Sequence, residues 1–332
     1  MKMIKKSIAL LMALILVFAF TGCKKDDGKS TTGDNKTPVT DNKKDDEEKQ
    51  IVVGFAQSRM NHPYRVAAVE EFQQAVKDKG LNWKVVVCDG QNDNAKQTSD
   101  VEDLITQKVD VIVMSPITAD PLAPVSKKVL EAGIPLVLLD RTISTDDYTT
   151  FVGGDNILIG QLVAEAIAKK LDGAEGKVVE IQGTLGSSAT TDRHQGFLDT
   201  IAKYPNIELI SDTSADYDRA KALALMEDIL QTTNDIAAVY CHNDAMAIGA
   251  MTALNSSNIT GVDIYGADGT KEVFDEIKNG NITGSAFYPT GSTKAVEVIE
   301  EILAGKQVGK KYLVDVPLVD INNMDEYYDQ GL

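Results

Sequence analysis

From residue 51 the chain alternates short apolar runs with longer amphipathic stretches, beginning IVVGFAQ, PYRVAAVEEFQQAVKDKG, WKVVVCDG. A short continuous apolar run reads as a strand covered on both faces, and an apolar stripe with helical spacing reads as a helix. The rhythm continues through helix NAKQTSDVEDLITQKV, strand DVIVMSP, helix APVSKKVLEAG, strand IPLVLLD and a short strand TTFVGGD. It then restarts with helix ILIGQLVAEAIAKKL, strand KVVEIQG, helix SATTDRHQGFLDTIAKY, strand IELISDTSA and helix DRAKALALMEDILQTT. Strand IAAVYCHND, helix AMAIGAMTALNSS, strand DIYGADG, helix TKEVFDEIKNG and strand ITGSAFYP complete the pattern. The alternation predicts an α/β fold of two doubly wound parallel-sheet lobes in tandem.

Open sheets of this kind bind ligands at the carboxyl ends of their strands, so the residues just past each apolar run are the candidates. Those ends read AQSRMNHPYR, DGQND, SPITAD, LDRT, GTLGSSATTDR, ADYDR, CHND and GADGT. They are rich in Asp, Asn, Arg and Tyr, which supply forked donors, acceptors and flat aromatic faces. That chemistry suits a neutral polyhydroxylated ligand, whose hydroxyls both donate and accept while its C–H face stacks on a ring. In IPLVLLDRT the apolar run stops at Asp140 and Arg141, which are expected to organise each other at the cleft. A lone Asp-Arg of this kind is more often a surface ion pair; several converging ends favour the cleft.

The chain before residue 51 reads differently. MKMIKK is a basic segment, SIALLMALILVFAF an apolar one too short to span a bilayer comfortably, and TGC ends at Cys23. Residues 1–23 resemble a bacterial lipoprotein signal, with Cys23 as the lipidated residue and Phe20 and Thr21 departing from the usual lipobox; an ordinary secretory peptide is the alternative. Residues 24–50 hold one Val among charged and small polar side chains and read as a flexible linker. Of the 332 residues, 33 are Lys or Arg and 50 Asp or Glu, a net charge of −17. The first 50 residues carry 10 Lys against 8 acids, so −19 falls on the remainder, which disfavours a nucleic-acid partner. Cys88 and Cys241 each end a strand-like run and read as buried free thiols, and the spacing of the histidines and cysteines predicts no metal site.

SRMNHPYR, IPLVLLDRT, DNILIGQL, IQGTLGSSATTDRHQGF, ADYDRAKALALMEDIL, HNDAMAIGA and GADGT carry a family resemblance. In this order they resemble the ribose-binding type of periplasmic binding protein, the substrate-capturing component of ABC sugar importers, and are most similar to its galactofuranose-binding members. The resemblance implies type I architecture, with two lobes joined by a three-strand hinge near 153–156, 287–290 and 315–318. It divides the chain into an N-terminal lobe of 51–154 plus 289–315 and a C-terminal lobe of 155–288 plus 316–332. It implies Tyr64 and Tyr217 as stacking faces, and Gln57, Asp140, Arg141, Arg193, Asn243 and Asp268 as polar ligand contacts. His62 and Arg65 stand where ribose binders have Asn and a second Phe, which turns the specificity away from plain ribopyranose. Phe287 stands where those proteins place a Gln. The implied ligand is a monosaccharide, galactofuranose first, with arabinofuranose, ribose or a pyranose hexose as alternatives. The implied partner is an ABC importer permease, with a sensor kinase as a further one. The resemblance implies a monomer held to the cell membrane through Cys23, with no cofactor and no catalytic residue.

Blander roles compete at single positions. Asn243 and Asp244 could both cap the following helix, and the reading gives the ligand role to Asn243 and the cap to Asp244. Asp268 could shape a turn, and Arg193 could pair with Asp192 or Asp199 on the surface. Two other classes fit poorly. A repressor core would carry a basic helix-turn-helix where this chain has a signal. A glycosidase would need Asp140 as an acid, which a neighbouring Arg opposes.

Overall fold

The structure, a computed structural model, describes Lys49–Leu332. The expected signal segment 1–23 with Cys23, and all of the expected linker 24–50 except Lys49 and Gln50, lie outside the described residues. In chain order come β1 (Ile51–Gln57), α1 (Pro63–Asp78), β2 (Trp83–Asp89), α2 (Asn94–Thr106), β3 (Val111–Met114), α3 (Ala119–Glu131), β4 (Leu136–Leu139) and β5 (Thr150–Gly154). Next are α4 (Asn156–Leu171), β6 (Gly176–Gln182), α5 (Ser188–Ile201), β7 (Ile207–Ser214), α6 (Arg219–Leu230), β8 (Ala238–Cys241), α7 (Asp244–Ser256), β9 (Asp263–Asp268), α8 (Lys271–Asn279) and β10 (Gly284–Phe287). The chain closes with α9 (Ser292–Leu303), β11 (Lys311–Val314), β12 (Leu318–Asp320), α10 (Met324–Tyr327) and a 3₁₀ turn.

Two six-stranded sheets make two α/β lobes, ordered β11-β5-β4-β3-β1-β2 and β12-β10-β9-β8-β6-β7. All neighbours are parallel except β12, which runs antiparallel to β10. Leaving out the last strand of each, both repeat one doubly wound order, with the chain reversing direction across the sheet beside β1 and beside β6. Strands β3, β4, β5, β8 and β10 are buried throughout, because helices cover both faces.

The element pattern read from the sequence ends too early. It stops at ITGSAFYP, whereas the chain returns to the first lobe as α9, whose Ala295, Val296, Val298 and Ile299 pack with Val53, Phe55, Val69 and Phe72. Helix α3 also begins at Ala119 rather than at Ala123. Pro121 lies in its first turn, where an N–H has no helical acceptor, so it reads as a breaker without breaking the helix.

The chain passes between the sheets three times, after β5, after β10 and after β11. The three segments pack on one another. A Cβ on Gly154 would stand 2.4 Å from Tyr288 Cε2 and 2.6 Å from Val316 Cγ1, so only glycine fits there. The Tyr288 hydroxyl accepts from Gly154 N at 3.4 Å and Asn156 Nδ2 at 3.2 Å, and donates to the Asp140 carbonyl at 3.3 Å. Cys241 is a buried free thiol as expected, while Cys88 is only half-buried and also free.

Candidate functional site

Strand β1 delivers the chain to a loop that ends in Pro63 at the start of α1, with His62 as N-cap. The His62 ring makes no cap bond, which leaves it free to face the opposite lobe. It meets Asn243, whose Nδ2 lies 3.0 Å from His62 Nε2. Burial first, then Arg59, Arg65 and Arg141, push the His62 imidazole down to about 3, so the ring is neutral and Nε2 accepts the Asn243 proton. Its other nitrogen, Nδ1, is then a buried N–H without a partner.

These two residues belong to the wall of one cavity at the strand ends. Arg59, His62, Tyr64, Arg65, Asp140 and Arg141 come from the first lobe and Ala189, Arg193, Tyr217, Asn243 and Asp268 from the second, around one small space. Nine of the ten residues expected from the sequence are brought together here. Gln57 is not: its Oε1 accepts from Ser58 N at 2.9 Å and its Nε2 lies 3.4 Å from the Arg65 carbonyl, behind the wall. Phe287 also lies outside the wall, in the core against Tyr327 at a ring distance of 5.3 Å. The sequence reading missed Arg59, whose only signal was its place in SRMNHPYR, and Ala189, which has no chemistry to announce it.

Asp140 ends β4 in a left-handed conformation, φ 68°, which Asp tolerates better than most residues and which aims the side chain across the sheet. Its Oδ2 stands 3.6 Å from Arg141 Nε, the expected pairing, and 2.6 Å from Arg65 Nη1, a closer partner that the sequence reading did not foresee. Arg65 also donates to Ser115 Oγ at 2.7 Å. Burial would raise the Asp140 carboxyl, but Arg65, Arg141 and Arg193 together hold it below the usual carboxylate range. Arg141 turns its other arm to the carbonyls of Pro116 and Ile117 at 3.3 and 3.0 Å and stacks on Tyr217 at 5.3 Å.

In the second lobe the loop after β7 holds Asp216 and Tyr217 at φ 56° and 61°. Tyr217 lies flat on Gly183, where a Cβ would come within 2.0 to 2.4 Å of its ring carbons, and its hydroxyl bonds Thr190 at 2.8 Å. Arg193 is buried rather than paired with a surface acid. Its Nε donates to Asn156 Oδ1 at 2.8 Å and its Nη1 to the His242 carbonyl, and its guanidinium lies 4.9 Å from the Tyr288 ring centre. One wall residue is thereby tied to two of the segments that join the lobes.

The cap assignment at α7 is also corrected. Asn243 Oδ1 accepts from Met246 N at 3.0 Å, so Asn243 is the cap as well as a wall residue. Asp244 accepts instead from Thr270 N at 2.7 Å and Ser285 Oγ at 2.6 Å, which braces the turn carrying Asp268. Burial and then the Asp244 carboxylate push the Asp268 carboxyl well above its ordinary value.

Behind the wall, Glu180 of β6 bridges two histidines, with Oε1 2.8 Å from His242 Nε2 and Oε2 2.7 Å from His194 Nδ1. Gly183 N donates to His242 Nδ1 at 3.3 Å, so Nε2 carries the proton given to Glu180. Burial pushes Glu180 up to about 8.

Residues 53–307 match the periplasmic binding protein domain. The chain belongs to the periplasmic binding protein family. Among relatives of this periplasmic binding protein, the ribose import binding protein of Bacillus subtilis (strain 168) is 35% identical over 92% of this chain and 96% of its own. The galactofuranose-binding protein of Escherichia coli (strain K12) is 33% identical over 76% and 81%. A crystal structure of a galactofuranose binding protein superimposes with a TM-score of 0.80 at 29% identity, covering 84% of this chain and 98% of that one.

Proposed function

We propose that this periplasmic binding protein captures one monosaccharide between its lobes and presents it to the permease of an ABC importer. The observation that carries the reading is a single cavity at the carboxyl ends of both sheets, walled by side chains of both lobes and bridged by His62 and Asn243. Tyr64 and Tyr217 offer stacking faces, and Asp140, Asp268, Asn243 and the guanidiniums offer paired hydrogen bonds to adjacent hydroxyls. Among neutral sugars galactofuranose is the first candidate, with arabinofuranose, ribose and pyranose hexoses next. Arg65 in place of a second ring gives a site with one stacking face fewer and a forked donor more.

The segments near 153–156, 287–290 and 315–318 act as the hinge, and closure proceeds as a rigid-body motion of the lobes. Residues 51–154 plus 289–315 form one lobe, and 155–288 plus 316–332 the other. Cys23 carries the lipid that holds this monomeric receptor at the outer face of the cell membrane, with residues 24–50 as its leash. The protein performs no chemistry on its ligand, and Asp140, held ionised by Arg65, is suited to accepting hydrogen bonds rather than giving protons.

A thermal-shift panel of furanose and pyranose monosaccharides tests this. A ligand bound only by the folded state raises the melting temperature with concentration. A panel without any shift would count against the reading.

A further inference from the structure

The cavity wall holds more positive charge than a neutral sugar needs. Among the described residues it presents the guanidiniums of Arg59, Arg65, Arg141 and Arg193 against the carboxyls of Asp140 and Asp268. Partnering sharpens the imbalance. Arg65 takes Asp140 at 2.6 Å, while Arg193 is bonded to neutral oxygens of Asn156 and His242. Arg141 donates to two backbone carbonyls, and its buried Nε, without a hydrogen-bond partner, stands 3.6 Å from the Asp140 oxygen that Arg65 already holds. Arg59 bonds across the lobes to the Asp216 carbonyl at 3.3 Å.

The nearby acids answer these charges only in part: burial and Arg65 lower Arg59, and Asp218 and Asp216 oppose that without reversing it. The Asp216 carboxylate pairs with Lys221 at 2.6 Å, and that of Asp218 accepts from Lys221 N at 2.9 Å as the cap of α6. Asp268 is pushed up by burial and Asp244, so it holds its proton further up the pH scale than a free carboxyl. The shift of His62 down to about 3, caused by burial and then by Arg59, Arg65 and Arg141, reports the same positive field inside the wall. Four guanidiniums held largely out of water share one close carboxylate partner, Asp140, and a ligand that brings a second anion is favoured.

We infer that this site prefers an acidic monosaccharide, whose carboxylate is taken by Arg59 and Arg141, over the neutral sugar of the same skeleton. The inference rests on the monosaccharide reading above and narrows it. A carboxylate matches the guanidinium fork and occupies nearly the same volume as the hydroxymethyl group it replaces, whereas a phosphate adds bulk. Arg59 is thus the specificity-determining residue that the family resemblance does not point to.

Calorimetric titration with matched pairs tests it: galactose and galacturonate, glucose and glucuronate, with galactose 6-phosphate as a further arm. For the skeleton that binds, the acid is expected to be about tenfold tighter or more, the advantage of one added charge-assisted hydrogen bond. Arg59→Gln should bring the acid-to-neutral ratio close to one, and Arg59→Lys, which keeps the charge without the fork, should retain part of it. A neutral sugar that binds as tightly as its acid overturns the inference and leaves the monosaccharide reading standing. An unchanged ratio in a folded Arg59→Gln variant overturns the role of Arg59, and tighter binding of the phosphate overturns the carboxylate. Absence of binding by every pair overturns the inference and the monosaccharide reading together.

Discussion

The carboxylate of Asp140 lies 2.6 Å from the guanidinium of Arg65, a residue 75 positions earlier in the chain, and 3.6 Å from that of its neighbour Arg141. The pair joins the end of β4 to the first turn of α1, and both side chains are almost fully buried. Removing one partner leaves the other as a buried charge, which is far more costly than losing an exposed ion pair. Arg65→Ala is therefore expected to lower stability by about 3–5 kcal/mol, read as the midpoint of denaturant unfolding. Arg65→Ala with Asp140→Ala together should cost less than Arg65→Ala alone. A double variant that is the less stable of the two would mean that the pair is not what holds these elements together.

The same pair sets an acid limit. Asp140 has its folded carboxyl below the ordinary value of 3.8, so its contribution is fully present above that value and is lost as pH falls through the lower, folded one. Glu180 acts in the opposite sense. Its folded value of about 8 stands above the ordinary 4.5, so the folded state holds a proton that the unfolded state has released, and stability falls as pH rises between the two. Wild type should lose up to about 1.4 kcal/mol per pH unit relative to Glu180→Gln across that window. Parallel pH profiles of the two proteins would show that Glu180 is ionised when folded.

Gly183 is a sequence position with no chemistry of its own, yet it sets where Tyr217 lies. Gly183→Ala places a methyl inside the ring. Tyr217 must move, and sugar affinity is expected to fall by about tenfold or more, with a loss of stability of about 1–3 kcal/mol from overpacking. Unaltered affinity in a titration would show that Tyr217 is not a stacking face.

If Cys23 carries the proposed lipid, Cys23→Ala should release the protein from membranes into the soluble fraction with its sugar affinity unchanged, because the proposed leash would separate the anchor from the lobes. Fractionation with quantitative detection reads this. Retention at the membrane would contradict the lipid anchor.

Much of this was legible in the sequence because parallel strands buried on both faces leave continuous apolar runs, and their last residues announce the site. Asp140 and Arg141, read from a strand end, line the cavity, as do Asn243 and Asp268, which the family resemblance picked out from two further ends. What escaped depends on long-range geometry. That Arg65 comes closer to Asp140 than Arg141 does follows from the packing of α1 against the end of β4, which no local pattern encodes. That Asn243 rather than Asp244 caps α7 turns on Ser285 and Thr270, brought in from β10 and the turn after β9 to hold Asp244. Arg59 stood in a quoted motif but acts through Asp216 of the other lobe, 157 positions away. Helix α9 had its apolar spacing in view, yet its return to the first lobe after β10 is a property of the topology.

Titration of wild type and Arg141→Ala with the monosaccharide that gives the largest thermal shift tests the central claim most directly. The account expects one sugar per chain, and a loss of about 2–4 kcal/mol of binding free energy on removing Arg141, with the fold preserved by circular dichroism. The same dissociation constant for both proteins would contradict it, since the cavity between the lobes would then not be where the sugar binds.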